Sequence, residues 1–376
     1  MKKTAIIDIV HVMRTYGVHG GERQLGQLFS SFSEPGYRHT FYSLYRNLEC
    51  EKYFSTILSL EQKYLLSFKA LKFPSILVEI LILIIFLPFF WFRIYFKFFS
   101  IKPKIIFAHG FQGALVCWLP AVFLTKQKFV YVHRGTKSNL GKHPLFRFLY
   151  KPFEIIVGVS NASKNSMVDL VPSSKLMAIA NGIDLSKFIY PVDRSFNKSK
   201  LILISVGRLI SAKGQIFLIN AFARICNQAN IEFNIVGDGP DEILLKELTK
   251  SLGVNDKVHF LGNQDDVAEL ISQADIFVFA SKSEGLSNAV LEAMTLGLPS
   301  IVVDAPGVSE CHIDSETGFI TDRDLDAFNE KILFLVNSPG LRKRMGESAR
   351  ARIESYYSIE ANCSQYLELY KKLLNI

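Results

Sequence analysis

The sequence predicts an α/β protein made of two Rossmann-like domains. Three observations carry that expectation. The chain has 376 residues, more than one hydrophobic core usually serves. Short apolar runs rich in β-branched residues alternate with helical patterns, as expected of parallel strands covered on both faces. Several of those runs end in glycine or a polar loop, and such sheets bind ligands beyond the carboxyl ends of their strands.

The second half shows the alternation clearly. LILISVG (201–207) reads as a strand and KGQIFLINAFARI (213–225) as the helix after it. IEFNIVGDG (231–239) is the next strand, and DEILLKELTKSLG (241–253) is a helix stopped by Gly253. KVHFLG, DVAELISQ, DIFVFAS, NAVLEAMTLG and PSIVVD continue the pattern. Gly207, the run Gly237-Asp238-Gly239 and the stretch from Ser281 to Asn288 all fall at strand ends.

The first half repeats the pattern less cleanly. TAIIDIVHV (4–12) reads as a strand, not a leader peptide, because Asp8 and His11 interrupt its apolar run. GGERQLGQLFSSF (20–32) is a glycine-rich turn entering a helix. KIIFAHG (104–110), FVYVHRG (129–135) and IIVGVS (155–160) are later strands, and SKLMAIANGID (174–184) closes the domain. The domains are expected at 1–190 and 191–357, with 185–200 as linker and 358–376 as a terminal helix packing back on the first domain.

FPSILVEILILIIFLPFFWFRIYFKFF (73–99) is almost wholly apolar and long enough to span a bilayer. A single crossing would put strands of one sheet on opposite sides of the membrane. The segment therefore lies in the interface, dips in and returns at Pro88, or is a core helix. Membrane contact is favoured, because a covering helix should show a polar face. Lys97, Lys102 and Lys104, with Trp91, Tyr95 and several Phe, suit the headgroup region.

Charge is divided unevenly. Residues 1–190 hold 24 Lys and Arg against 10 Asp and Glu, a net +14, while the remainder holds 19 against 25, a net −6. The first half is thus expected to meet an anionic surface. Lipid suits that expectation better than nucleic acid, for which no binding module is recognisable. Five scattered cysteines without a C-x-x-C predict reduced thiols in an intracellular protein and no structural metal. Asp322-Arg323-Asp324 follows no apolar strand and reads as a polar turn, not a metal site.

The chemistry concentrates in two stretches. SVGRLISAKG places Arg208 and Lys213 just past a strand. A guanidinium can clamp a phosphate with two hydrogen bonds and an ammonium adds a point charge, as a departing diphosphate requires. SEGLSNAVLEAM holds Glu284 in a loop and Glu292 a turn inside the following helix, where carboxylates can accept bonds from sugar hydroxyls. Ser287 or Asn288 can cap that helix, whose first turn attracts phosphate.

The ordered series GRL…KG, VGDG, SEGLSNAVLEAM…GLP and DAPGVSE…TGFI, with HGGERQ, VHRG, VSNASKNSM and NGID upstream, resembles the retaining glycosyltransferases of family 4. It departs from that pattern at Leu286, Pro306 and Lys104. The resemblance implies the GT-B fold, two Rossmann-like domains facing each other across a cleft. It implies a retaining, metal-independent hexosyl- or N-acetylhexosaminyltransferase using a UDP- or GDP-linked sugar as substrate and no cofactor. Glu292 would hold the ribose and Glu284 the donor sugar. Arg208 and Lys213 would neutralise the diphosphate, and the backbone of Gly207, Gly237, Gly285, Leu286, Ser287, Asn288, Gly20 and Gly21 would complete its cradle. His133 would face the donor sugar or its phosphate, although alone it reads equally as a strand-end histidine and Arg134 as a surface charge. Asp238 and Glu310 are further nucleotide contacts with less support. The acceptor is expected to be a lipid-linked glycan of O-antigen, capsule or a related polymer. The protein would then be cytoplasmic and peripheral on the inner face of the cell membrane. The alternatives are a soluble transferase acting on a small sugar and a non-catalytic sugar-nucleotide-binding partner.

Overall fold

The computed structural model describes residues 6–15, 17–18, 20–57, 61–64, 76–136, 144–191, 194–264 and 266–376, with backbone only for 61–64, 76–83 and 144–145. The expected strand residues 4–5 and the first three residues of the apolar segment, 73–75, lie outside the described residues. Two compact units emerge: Met1–Gly182 with Ile359–Ile376, and Ile183–Ser358.

Unit 1 is a seven-stranded sheet of β1 (Ile7–Met13), β2 (Tyr37–Ser43), β3 (Glu61–Tyr64), β4 (Ile105–His109), β5 (Lys128–His133), β6 (Ile155–Gly158) and β7 (Leu176–Ala178). Its order is β3-β2-β1-β4-β5-β6-β7, with every pairing parallel. The helices are α1 (Gly20–Ser31), α2 (Leu48–Ser55), α3 (Ile76–Ile101), α4 (Gly110–Phe123), α5 (Pro144–Tyr150) and α6 (Asn161–Asn165). Successive strand residues feed opposite faces. Val10, Val12 and Ile106 join Phe90, Ile94 and Phe98 of α3, whereas Ile9, Phe41 and Phe107 join Leu25 and Phe29 of α1. The second face is completed by Tyr366, Leu369, Tyr370 and Leu373 of the C-terminal helix Ile359–Leu374.

The apolar segment is α3, a single helix unbroken through Pro88, so the chain does not turn back there. It is the crossover from β3 to β4 of one sheet. Leu87, Phe90, Ile94 and Phe98 recur at helical spacing and are buried, and the Trp91 indole donates to the Leu115 carbonyl at 2.8 Å. The opposite face exposes Ile85, Phe89, Phe92, Phe96 and Phe99, each about half or more exposed. The helix thus has one apolar face in the core and a second apolar face outside it.

Unit 2 has six parallel strands: β8 (Leu201–Val206), β9 (Ile231–Val236), β10 (Val258–Gly262), β11 (Ile276–Phe279), β12 (Ser300–Val303) and β13 (Gly318–Thr321). Their order is β10-β9-β8-β11-β12-β13. The helices are α7 (Gln215–Ile225), α8 (Glu242–Ser251), α9 (Val267–Gln273), α10 (Asn288–Thr295), α11 (Leu325–Val336) and α12 (Pro339–Tyr356), and the C-terminal helix of unit 1 is α13. Both sheets reverse direction between their first and fourth strands, the switch point at which ligands bind in doubly wound folds.

Local chemistry sets several boundaries. Gly253, at φ +67°, ends α8. The Asp324 carboxylate accepts from the amides of Asp326 and Ala327, so Asp322-Arg323-Asp324 is the capped entry to α11. The helix expected from residue 213 begins only at Gln215. Ser211–Lys213 form a 3₁₀ turn that ends at Gly214 with φ +76°. A side chain at Gly214 would put its Cβ 2.0 Å from the Ala280 carbonyl oxygen, so only glycine lets this turn close on the end of β11.

Candidate active site

In unit 2, the strands β9, β8 and β11 are neighbours, and their carboxyl ends carry most of the expected residues. Gly207 follows β8 and donates its amide to the Val236 carbonyl at 2.9 Å. Gly237, at φ +131°, follows β9, and a Cβ there would sit 2.1 Å from the Gly207 carbonyl oxygen. The two strand ends are therefore packed backbone on backbone. Arg208 is exposed, while its carbonyl accepts from the Gln215 side chain at 3.0 Å.

Lys213 runs over Gly207, with its methylenes 3.8–4.0 Å from where a Cβ would stand. Its ammonium meets Glu284 Oε1 at 2.6 Å and lies 5.8 Å from the Phe279 ring centroid. The loop holding Glu284 is tied on both sides. The Lys282 amide donates to the Ala212 carbonyl at 2.8 Å, the Glu284 amide to Pro306 at 2.8 Å, and the Ser287 amide to Gly307 at 3.2 Å. Gly307 has φ +70°, and a Cβ there would stand 2.1 Å from the Glu284 carbonyl oxygen. The Pro306-Gly307 turn thus fixes the height of the Glu284 loop, a role not foreseen from the sequence.

Ser287, one of the two residues expected to cap α10, occupies its N-cap position, and its buried side chain makes no cap hydrogen bond. Leu286 is buried, and Gly285 is partly exposed. Asn288 and Glu292 are four residues apart on α10, so they share a face, and both are partly exposed. Glu310 lies in the turn Ser309–Cys311, and Asp238 is exposed with its carbonyl accepting from the Leu209 amide at 2.7 Å. Unit 2 therefore gathers Gly207, Arg208, Lys213, Gly237 and Glu284 to Glu292 at its switch point. Two cations, two carboxylates and a helix start there can hold a diphosphate and hydroxyl-bearing rings.

In unit 1, Gly20 and Gly21 open α1. His133 ends β5, and both its ring nitrogens are engaged, with the Tyr131 hydroxyl at 3.1 Å and with Ser166 Oγ at 3.1 Å. Burial pushes its pKa down to about 4, so the imidazole is neutral at pH 7. Arg134 is not a surface charge. It is half-buried, with Nη2 bonded to His109 Nδ1 at 3.2 Å and its stem passing beside Gly21. Behind it lie His11 and His39, buried on β1 and β2. No local motif marks this group; only strand register brings the residues together. Among the described residues, no group of His, Cys, Asp and Glu is arranged to hold a metal ion.

The family model for glycosyl transferases group 1 matches residues 187–352. The N-acetyl-alpha-D-glucosaminyl L-malate synthase of Bacillus anthracis is 29% identical over 260 residues, covering 66% of this chain and 68% of that protein. The lipopolysaccharide core biosynthesis glycosyltransferase LpsD of Rhizobium meliloti is 30% identical over 239 residues, covering 62% and 68%. Among solved structures, a glycosyltransferase from Rickettsia africae superposes with a TM-score of 0.81 at 19% identity, covering 98% of this chain and 99% of that one. Anabaena Alr3699/HepE in complex with UDP and glucose gives 0.78 at 16% identity, covering 97% and 100%. These structural likenesses establish the GT-B fold, and with the family match over unit 2 and the extended identity to curated relatives, the chain belongs to the group 1 glycosyl transferases.

Proposed function

We propose that the protein transfers a hexose or N-acetylhexosamine, with retention of configuration, from a UDP- or GDP-linked donor to a lipid-linked glycan in bacterial surface-polysaccharide assembly. The observation that carries this reading is the Lys213–Glu284 ion pair, which joins the loops after the adjacent strands β8 and β11, the first of which also holds Arg208 and the second of which leads into α10. Arg208 and Lys213 meet the charge that develops on the leaving diphosphate. Glu284 and Glu292 accept bonds from hydroxyls of the sugar and the ribose. The bond from the anomeric carbon to the diphosphate oxygen breaks, and the acceptor oxygen bonds to that carbon on the same face. The acceptor's proton passes to the departing phosphate oxygen, and the nucleoside diphosphate leaves. No step requires a metal or a resident cofactor. The complex of the Anabaena protein with UDP and glucose, and the names of the Rhizobium relative and of the Staphylococcus aureus capsular polysaccharide enzyme CapM, support the donor class and the polymer.

Incubation with a panel of UDP- and GDP-linked sugars, with and without polyprenyl-linked acceptors, is expected to consume one donor and release its nucleoside diphosphate. Mass spectrometry reads the product and NMR its anomeric configuration. Nucleotide binding with no turnover of any donor would leave the non-catalytic binder standing.

The membrane part of the proposal places the protein peripherally on the inner face of the cytoplasmic membrane. What supports it is the exposed Phe-rich face of α3 beside the exposed Arg93, Lys97, Lys102 and Lys104. Charge reversal at Lys97, Lys102 and Lys104, or Phe92→Asp with Phe96→Asp, is expected to lower binding to anionic vesicles at least tenfold, since each near-surface basic residue contributes about 1 kcal/mol. Unchanged vesicle flotation by both variants would remove the membrane from the proposal and favour the soluble enzyme.

A further inference from the structure

Three histidines cross the central strands of unit 1 on one diagonal. His39 on β2 pairs in register with Ile9, two residues before His11 on β1. His109 on β4 pairs with Met13, two residues after His11. Val132 on β5 pairs with His109, and Arg134 stands two residues further. Each step moves one strand over and two residues up, so all four side chains share one face and climb to the carboxyl edge of the sheet.

The contacts are continuous. His39 Nδ1 lies 3.1 Å from His11 Nε2, His11 Nδ1 lies 3.0 Å from His109 Nε2, and His109 Nδ1 lies 3.2 Å from Arg134 Nη2. His11 spends one ring nitrogen on each neighbour, so the imidazoles form a chain and do not converge on a point. All three are buried, under Phe29 of α1 and Tyr370 of α13.

Hydrogen counting gives the chain a direction. A guanidinium only donates, so His109 Nδ1 must accept. A neutral imidazole carries one N–H, which for His109 is then on Nε2 and is given to His11 Nδ1. His11 in turn donates from Nε2 to His39 Nδ1. The counting leaves a proton on His39 Nε2, which is buried and has no hydrogen-bond partner among the described residues. Burial, then neighbouring positive charge, holds His11 and His109 neutral. Three buried imidazoles in a sheet core are costly where Val or Ile would pack, and polar groups that break the local rule point to function.

We propose that His109, backed by His11 and His39, is a positioning relay: Arg134 fixes the tautomer of all three, and His109 in return holds the guanidinium beside Gly21 at the first turn of α1. The Nε–H of Arg134 is buried, and its remaining Nη N–H donors are kept for an anionic group of a substrate, phosphate or carboxylate. This use of Arg134 rests on the transferase reading above; the tautomer order does not.

The test has a spectroscopic and a kinetic arm, both on the full chain. With ¹⁵N-labelled histidine at pH 7, His11, His39 and His109 are each expected as the Nε2–H tautomer. Arg134→Met is expected to give mixed tautomers along the chain, whereas His39→Leu leaves His11 and His109 unchanged. Fixed tautomers that survive Arg134→Met, or that scramble on loss of His39, overturn the relay. In turnover of the donor found by the panel, His109→Leu is expected to lower kcat/KM about tenfold or more. His109→Gln, which keeps an acceptor oxygen for Arg134, recovers most of that loss. Equal losses in both, or none in either, overturn the positioning role. Absence of any turnover in the wild type counts against the proposed function and leaves the spectroscopic arm intact.

Discussion

Lys213→Ala is expected to lower kcat/KM for the donor about a hundredfold or more, the scale of losing one preorganised charge that meets a developing anion. The ammonium is held by Glu284 at 2.6 Å and lies 5.8 Å from the Phe279 ring centroid, and its methylene stem runs over Gly207. In the proposed reaction a charge held in this way meets the leaving group with little reorganisation. Glu284→Ala is expected to cost a similar factor through lost contacts to the sugar, and Glu284→Gln less, because the amide keeps an acceptor oxygen. Lys213 and Glu284 touch, so the double variant should fall little below the worse single one. The fold should survive, because the pair is 24% and 15% exposed and breaking it costs roughly 1–2 kcal/mol, between surface and fully buried pairs. Near-normal turnover in both single variants, with unfolding transitions unchanged, would remove this site from the mechanism.

The two units differ in how far their sequences reveal them. In unit 2, strands buried on both faces appear as unbroken apolar runs, and the glycines after β8 and β9 mark where the loops begin. What escaped was backbone packing across loops. Nothing local says that Gly214 must admit the Ala280 carbonyl, or that Gly307 sits against the Glu284 loop. In unit 1, β2 is Tyr-Arg-His-Thr-Phe-Tyr-Ser and β3 is Glu-Gln-Lys-Tyr, an edge strand; neither has an apolar run to signal it. The composition of α3 showed a helix apolar on every side. Which side is buried depends on Tyr42, Tyr45 and Trp118, contributed by other elements. The histidine chain is the extreme case, since residues 11, 39 and 109 meet only through strand register. Arg134 looked like a surface charge for the same reason.

Unit 1 is expected to lose stability steeply as pH falls below about 6.5. His11 and His109 are held well below the ordinary imidazole value and His39 at about 4, burial being the largest cause in each. The unfolded chain protonates these groups near 6.5, so below that pH it binds more protons than the folded unit. The contribution is therefore full above 6.5 and is lost progressively as pH falls toward 4. Each fully mismatched group costs about 1.4 kcal/mol per pH unit, so three give about 4 kcal/mol per unit below pH 6. Between pH 6 and 4 the loss is thus a large fraction of a typical domain stability of roughly 5–15 kcal/mol. Arg134 extends the window to lower pH without steepening it, because a protonated His109 would face a guanidinium at 3.2 Å. Burial disfavours the charged Arg134 guanidinium, and Tyr366 and then Glu22 favour it. His133, also lowered to about 4 but partly exposed, contributes less. Unit 2 has one comparable group, His312, and should hold to lower pH. The measurement is direct, because both tryptophans, Trp91 and Trp118, lie in unit 1 and their emission reports its unfolding alone. Urea titrations from pH 7 to 5 should show the tryptophan midpoint falling faster than the far-ultraviolet transition of unit 2. His39→Leu should cut the slope by about a third, one of the three protons in this count. A midpoint flat across that range would mean that the three imidazoles are not held neutral, and the buried chain would lose its physical basis.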